Sequence, residues 1–127
     1  MQDPISDFLN KLKLASRARK DSFAFPSSKI ILAIVAVLEK KGYIESSKKA
    51  KKGHQIEIKL PSGVKALPVN SIRRVSRLSK RMYIKAREIH PVRHGSGTAV
   101  LSTPKGVLLD TDARSAKVGG EVLFEIW

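Results

Sequence analysis

The chain has 127 residues, with 25 Lys and Arg against 11 Asp and Glu, a formal charge of +14, and 42% hydrophobic residues. Such a length and apolar content predict one domain or two small ones with a real core, which excludes wholesale disorder. The charge predicts a polyanionic partner, nucleic acid ahead of an acidic membrane or an acidic protein.

No cysteine is present, so disulfides, thiolate nucleophiles and Cys-based zinc sites are excluded. The longest apolar run, Ile30 to Leu38, has nine residues, where a membrane-spanning helix needs about 20. The start MQDPISDF is acidic and polar, which predicts no secretory signal. A soluble, cytoplasmic protein is expected.

Asp3-Pro4 places a capping residue before a proline, and Ile5, Phe8, Leu9 and Leu12 follow at helical spacing, so a first helix with one core-facing stripe is expected. Its other face carries Asp7, Asn10, Leu14 and Arg17, flanked by Lys11 and Lys13. DSFAFP at 21–26 suits a short strand. Ser27 or Ser28 can cap a second helix through Lys41, with Gly42 as terminator. That stretch is rich in β-branched residues, so a strand is the alternative; its length and caps decide for helix. Residues 43–46 and 54–60 then read as a hairpin whose second arm alternates Ile56, Ile58, Leu60. SSKKAKKG between them reads as a solvated loop, and PSG at 61–63 as a turn.

The second half reads as a strand over 69–75, a turn at 77–80 and a strand over 81–89. The HPVRHGSG connection leads to a strand over 98–101, the LSTPKG turn and a strand over 107–109. Asp110 or Thr111 is expected to cap a short helix, and Gly119-Gly120 opens a last strand, EVLFEIW. The order predicts an α+β fold of two small α/β modules. Residues 1–63 would run helix-strand-helix-strand-strand, and residues 64–127 would form a mostly-β module with short helices.

Both halves carry +7, but nine of the second half's twelve basic residues lie between 64 and 93, where Glu88 is the one acid. On a strand over 81–87, Arg81, Tyr83, Lys85 and Arg87 would share a face, a basic stripe with an aromatic that suits phosphates and stacking. A plain solvated strand face is the alternative. From residue 94 onward the balance reverses, with three Lys or Arg (Lys105, Arg114, Lys117) against four acids (Asp110, Asp112, Glu121, Glu125). LSTPKG lies in that nearly neutral stretch. Cations on phosphates supply affinity without sequence information. Hydroxyls that donate and accept at a base edge or a 2′-OH can discriminate, and a glycine lets the backbone come near, so Ser102, Thr103 and Gly106 are candidate RNA contacts. The competing reading is a hairpin turn whose hydroxyls bond their own backbone.

No catalytic or metal site is expected. Asp110 and Asp112 read as helix-start acids; His54, His90 and His94 lack metal spacing; GSG at 95–97 lacks the Lys-Ser/Thr of a P-loop. The expectation is no enzyme and no cofactor.

In order and spacing, MQDPISDFL, PSSK at 26–29, RRVSR at 73–77, Arg81 and Tyr83, G-x-G at 95–97, LST-x-KGV at 101–107, D-x-D-A-R at 110–114 and GGEVLFEIW resemble the bacterial ribosomal small-subunit protein eight family over essentially the whole chain. The resemblance implies two α/β modules and a primary 16S rRNA binder that organises the central domain. It also implies neighbouring small-subunit proteins as partners, and autoregulation through the protein's own operon mRNA in many members. Ser102, Thr103, Lys105 and Gly106 would then meet bases and sugars, supported by Tyr83, Gly120 and Glu121. Arg74, Arg81, Lys85 and Arg87 are expected on the backbone, and Lys11, Lys13 and Lys29 are the N-terminal candidates. Leu14 stands where the family has a polar Asn, Pro104 where Ser or Asn is common, and Leu78-Ser79 where a Pro-Gly turn is usual. No membrane partner is expected, and a monomer off the ribosome. A generic basic nucleic-acid module is the first rival reading, an anionic-membrane binder using the lysines at 48–52 the second, and a hydrolase the third.

Overall fold

The computed structural model describes residues 3–49, 53–61, 69, 71–77, 79–92 and 95–127. The chain divides into two compact units, Met1–Val69 and Asn70–Trp127. The boundary expected after residue 63 lies outside the described residues, as do Ser62 and Gly63 of the PSG turn, residues 50–52 of the lysine loop, Leu78 and His94.

In the first unit, α1 (Pro4–Arg17) begins where Asp3 accepts from the backbone N–H groups of Ile5 and Ser6, at 3.2 and 3.3 Å. These are orphan donors that a helix start must satisfy. Its buried stripe is Phe8, Leu9, Leu12 and Ala15. β1 (Ser22–Pro26) follows, then α2 (Lys29–Lys41), capped by Ser28 accepting from Ile31 N–H and ended by Gly42 at φ +103°. The helix reading of this β-branched stretch holds because Ile31, Ile34, Val35 and Leu38 recur every three or four residues and are all buried.

β2 (Ser46–Lys49) and β3 (Gln55–Lys59) complete an antiparallel sheet of order β1-β3-β2. Here the expected hairpin shifts. Its first arm is not residues 43–46, because Tyr43 and Ile44 turn off the end of α2 into the core, 6% and 1% exposed. The strand instead runs through Ser46–Lys49, so half of the expected lysine loop is an edge strand. Lysines on an edge discourage unwanted strand pairing. Phe8 packs edge-on to Phe25, centroids 5.4 Å apart, and tilted against Phe23 at 6.0 Å. These rings close α1 onto the sheet.

The second unit is built around β8 (Gly120–Ile126). On one side β8 pairs with β6 (Thr98–Thr103), which pairs in turn with β7 (Gly106–Leu109). Along its other side lie β4 (Ile72–Arg74) and then β5 (Tyr83–Ile84). α3 (Asp110–Ser115) follows β7. Its cap position is Leu109, so Asp110 is the first helical residue and not the cap. Asp110 is 4% exposed and 4.0 Å from Arg114 one turn on. One face of the sheet holds Ala99 and Leu101 against Ile89 and Ala113. Thr98, Val100, Phe124 and Ile126, at most 2% exposed, form the other buried set.

Both strands expected before residue 90 are shorter than the alternation suggests. The first covers three residues of the expected 69–75. The second stops at Ile84, and Ala86–Glu88 form a single 3₁₀ turn. Glu88 closes that turn by accepting from Lys85 N–H at 3.0 Å, while its own N–H donates to the Lys85 carbonyl at 2.9 Å. β8 itself begins only at Gly120, opposite Ile84, so the residues after Ile84 have no partner strand there.

Candidate nucleic-acid interface

Three residues from three strands lie in one row. Tyr83 in β5 faces Glu121 in β8, and Glu121 faces Ser102 in β6. Directly opposed residues of antiparallel strands project to the same face. Tyr83 is 72% exposed, Ser102 is half-buried and the Glu121 side chain is 15% exposed.

Two glycines make this row possible. A side-chain carbon on Gly120 would fall on the Ser102 carbonyl, and one on Gly119 would fall on the Ile84 carbonyl and lie 2.9 Å from Ala86 N. Only bare backbone lets the start of β8 pass between β5 and β6.

Next to the row, β6 and β7 turn through Pro104 and Lys105. Proline supplies the φ the first turn position needs, and Gly106 takes a positive φ of +107°. The Thr103 hydroxyl donates to the Gly106 carbonyl at 2.7 Å and accepts from Lys105 N–H at 3.1 Å. Of the two hydroxyls in LSTPKG, Thr103 thus serves its own turn, as the competing reading required. Ser102 makes no hydrogen bond with its side chain among the described residues and stays in the row. Pro104, Lys105 and Gly106 are exposed, and nothing lies within 4 Å of where a Gly106 side chain would start.

Glu121 is anchored from the side opposite β6. The Ser76 hydroxyl donates to its Oε2, and Arg81 Nη1 donates to the same oxygen at 3.0 Å. Burial pushes the carboxyl upward, but the Ser76 and Arg81 hydrogen bonds and the charges of Arg81 and Arg74 outweigh it. The group is therefore held ionised below the ordinary carboxylate range. Ser76 is fully buried and also accepts from Met82 N–H at 3.0 Å. It pinches a small loop in which Arg77 and Lys80 exchange backbone hydrogen bonds at 2.8 and 3.1 Å. Arg77, Lys80 and Arg81 stand exposed around that loop.

The sequence reading named neither Ser76 nor the loop's other cations, although RRVSR contains the serine. The partners of the Ser76–Glu121 bond are 45 residues apart, a pairing that no local pattern encodes.

Not every expected residue stands in this row. Lys85 and Arg87 are exposed but leave the strand, so they do not alternate onto the Tyr83 face. The basic stripe derived from an 81–89 strand is corrected to Arg81 and Tyr83. Arg74 is half-buried and donates through Nη1 to the Leu123 carbonyl, a largely internal role. In the first unit Lys11 lies over the Phe25 ring, 5.9 Å from its centroid. Lys13 is half-buried, and Lys29 is exposed at the start of α2. Leu14, 59% exposed, does face away from the core.

No group of His, Asp or Glu among the described residues could hold a metal ion. No described helix is long and apolar enough to cross a membrane.

Fold and surface together define a small, strongly basic α+β protein that displays a polar cross-strand row and an exposed hairpin tip on an antiparallel sheet. Residues 3–127 match the family described as Ribosomal protein S8. Among curated relatives, the chain is 46% identical to the small ribosomal subunit protein uS8 of Persephonella marina, over 98% of both chains. It is 40% identical to that of Zymomonas mobilis over 100% of this chain and 98% of the relative, and 41% identical to that of Amoebophilus asiaticus over 98% of both. The chain belongs to the ribosomal protein S8 family. Its role is accordingly structural and not enzymatic, and its place is the ribosome.

Proposed function

We propose that this protein binds 16S rRNA directly and helps organise the central domain of the small subunit, using the second unit to recognise a distorted stem. The observation that carries this reading is the Tyr83–Glu121–Ser102 row beside the Lys105-Gly106 tip, in a chain of charge +14. An exposed phenol can stack or hydrogen-bond, and a serine hydroxyl can donate and accept at a sugar or base edge. The flanking Arg77, Lys80, Arg81, Lys85 and Arg87 supply phosphate attraction without sequence preference. Glu121 repels a misplaced phosphate and offers its second oxygen to a base amine. Lys13 and Lys29 serve a lesser contact from the first unit. Repression of its own operon mRNA would use the same surface, through an mRNA that presents the same shape.

The test is a salt-titrated binding comparison between the rRNA central-domain stem and a fully paired stem of equal length. The wild type should prefer the distorted stem. Ser102→Ala should reduce that preference by about 1–3 kcal/mol, the scale of one good base contact. The salt slope should hardly change, because no phosphate contact is lost. Equal binding to both stems by wild type and variant would leave only a generic basic nucleic-acid module.

A further inference from the structure

The second unit has a cleft of about 340 Å³, lined by Arg73, His90, Pro91, Val92, Glu125 and Trp127. It is separate from the Tyr83–Glu121–Ser102 row, which shares none of these residues. We propose that it holds one unstacked guanine base of a bound RNA strand. The assignment rests on the chain meeting RNA and adds a second, base-selective contact to that reading.

The argument starts from charge. Arg73 sits opposite Glu125 in the β4–β8 register, and its Nε lies 3.3 Å from Glu125 Oε1. That pair fixes the carboxylate at the cleft wall. The Arg73 side chain is nevertheless 67% exposed, and its two terminal amino groups meet no acceptor among the described residues. They can take a phosphate while Nε holds Glu125. Glu125 keeps its other oxygen, Oε2, without a partner among the described residues, and its side chain is 25% exposed. His90 is exposed and its ring makes no hydrogen bond among the described residues.

Trp127 is the aromatic residue of the lining. Its backbone is clamped by two hydrogen bonds to Ser71, at 2.9 and 3.0 Å, and it is half-buried. Gly97 allows the close fit behind it. A side-chain carbon there would stand 2.8 Å from Val92 Cγ1 and 3.4 Å from Trp127 Cβ.

A carboxylate, an aromatic surface and a flanking guanidinium make a demand that few ligands meet. A phosphate alone would be repelled by Glu125. A base stacks on an indole whatever its identity, but the bases differ in what they offer a carboxylate. Guanine presents two adjacent donors on its Watson–Crick edge, N1–H and the N2 amine. Adenine and cytosine present one amine, and uracil one ring N–H. Only guanine can reach both oxygens at once: Oε2 is open, and Oε1, which takes one N–H from Arg73, keeps a second lone pair, since an ionised carboxylate offers about four acceptor sites and donates none.

Trp127 is the one tryptophan of the chain, so its fluorescence reports on this cleft. The experiment titrates the full-length protein with two nine-nucleotide RNAs of equal charge, oligouridine and oligouridine with one central guanosine. The guanosine strand should quench Trp127 saturably and bind about tenfold more tightly, the scale of a bidentate base contact. Replacing that guanosine with inosine, which lacks the N2 amine, should remove most of the advantage without altering the protein. Glu125→Gln should make the two strands equal. Identical curves for both strands, an inosine strand as good as guanosine, or no quenching would overturn the proposal. Stem selectivity read through Ser102→Ala does not involve this cleft, so either reading can fail while the other stands.

Discussion

Gly120 lies against Ser102 so closely that a side-chain carbon on the glycine would occupy the serine's carbonyl oxygen. Ser102, within the polar row, and Gly120, next to it on the neighbouring strand, therefore meet backbone to backbone, and the spacing of the row depends on a missing methyl group.

Gly120→Ala should accordingly destabilise the second unit by about 3 kcal/mol or more, at the upper end of overpacking costs, because backbone cannot move aside as a flexible side chain can. Urea denaturation would measure it. A loss below about 1 kcal/mol would mean that β6 and β8 separate without cost, contrary to the tight fit.

Glu121 predicts a pH dependence. Its carboxyl is held below the ordinary value in the folded protein, so folded protein binds this proton less readily than unfolded chain. Its contribution to stability is fully present above the ordinary carboxylate range and is lost as pH falls through the lowered folded value. Melting temperatures across that acidic window should fall less steeply for Glu121→Gln than for wild type. At neutral pH the variant should be less stable by about 1–3 kcal/mol, since it forfeits charge-assisted hydrogen bonds to Ser76 and Arg81.

The two hydroxyls of LSTPKG should separate cleanly. Thr103→Ala removes both hydrogen bonds that close the turn and should cost about 1 kcal/mol of stability. Ser102→Ala removes none among the described residues and should leave the melting temperature nearly unchanged. Thermal denaturation of the two single variants decides this before any RNA is added.

In the first unit, Phe8 is fully buried between the helix stripe and the Phe23 and Phe25 rings. Phe8→Ala should cost about 3–5 kcal/mol, the usual range for emptying an aromatic core site. Removing the α2 cap with Ser28→Ala should cost only about 1 kcal/mol. Denaturation midpoints of the two variants should reproduce that order.

Much of this molecule was legible in advance because its signals are local. Asp3 before Pro4, Ser28 before an apolar run, Gly42 after it and the alternation of Ile56 and Ile58 each act within a few residues of themselves. Where the reading missed, a neighbour distant in sequence had decided. Alternation carried the strand at residue 81 on to 89, but β8 offers no partner past Gly120, and Glu88 closes a 3₁₀ turn instead. Lys85 and Arg87 left the expected stripe for that reason. The lysine loop became half strand because Tyr43 and Ile44 were drawn into the core at the end of α2.

By itself the sequence determined the α+β class, both long helices with their caps, the basic character and the motifs of its family, since periodicity, capping and charge are properties of short stretches. That Tyr83, Glu121 and Ser102 form one row, that Ser76 and Arg81 together anchor Glu121 from far along the chain, and that Arg73, Glu125 and Trp127 share a cleft came only with the tertiary fold. Those relations are set by strand register and by close packing at Gly119 and Gly120. Register is the outcome of many weak contacts between distant segments, and no short stretch of the chain contains it.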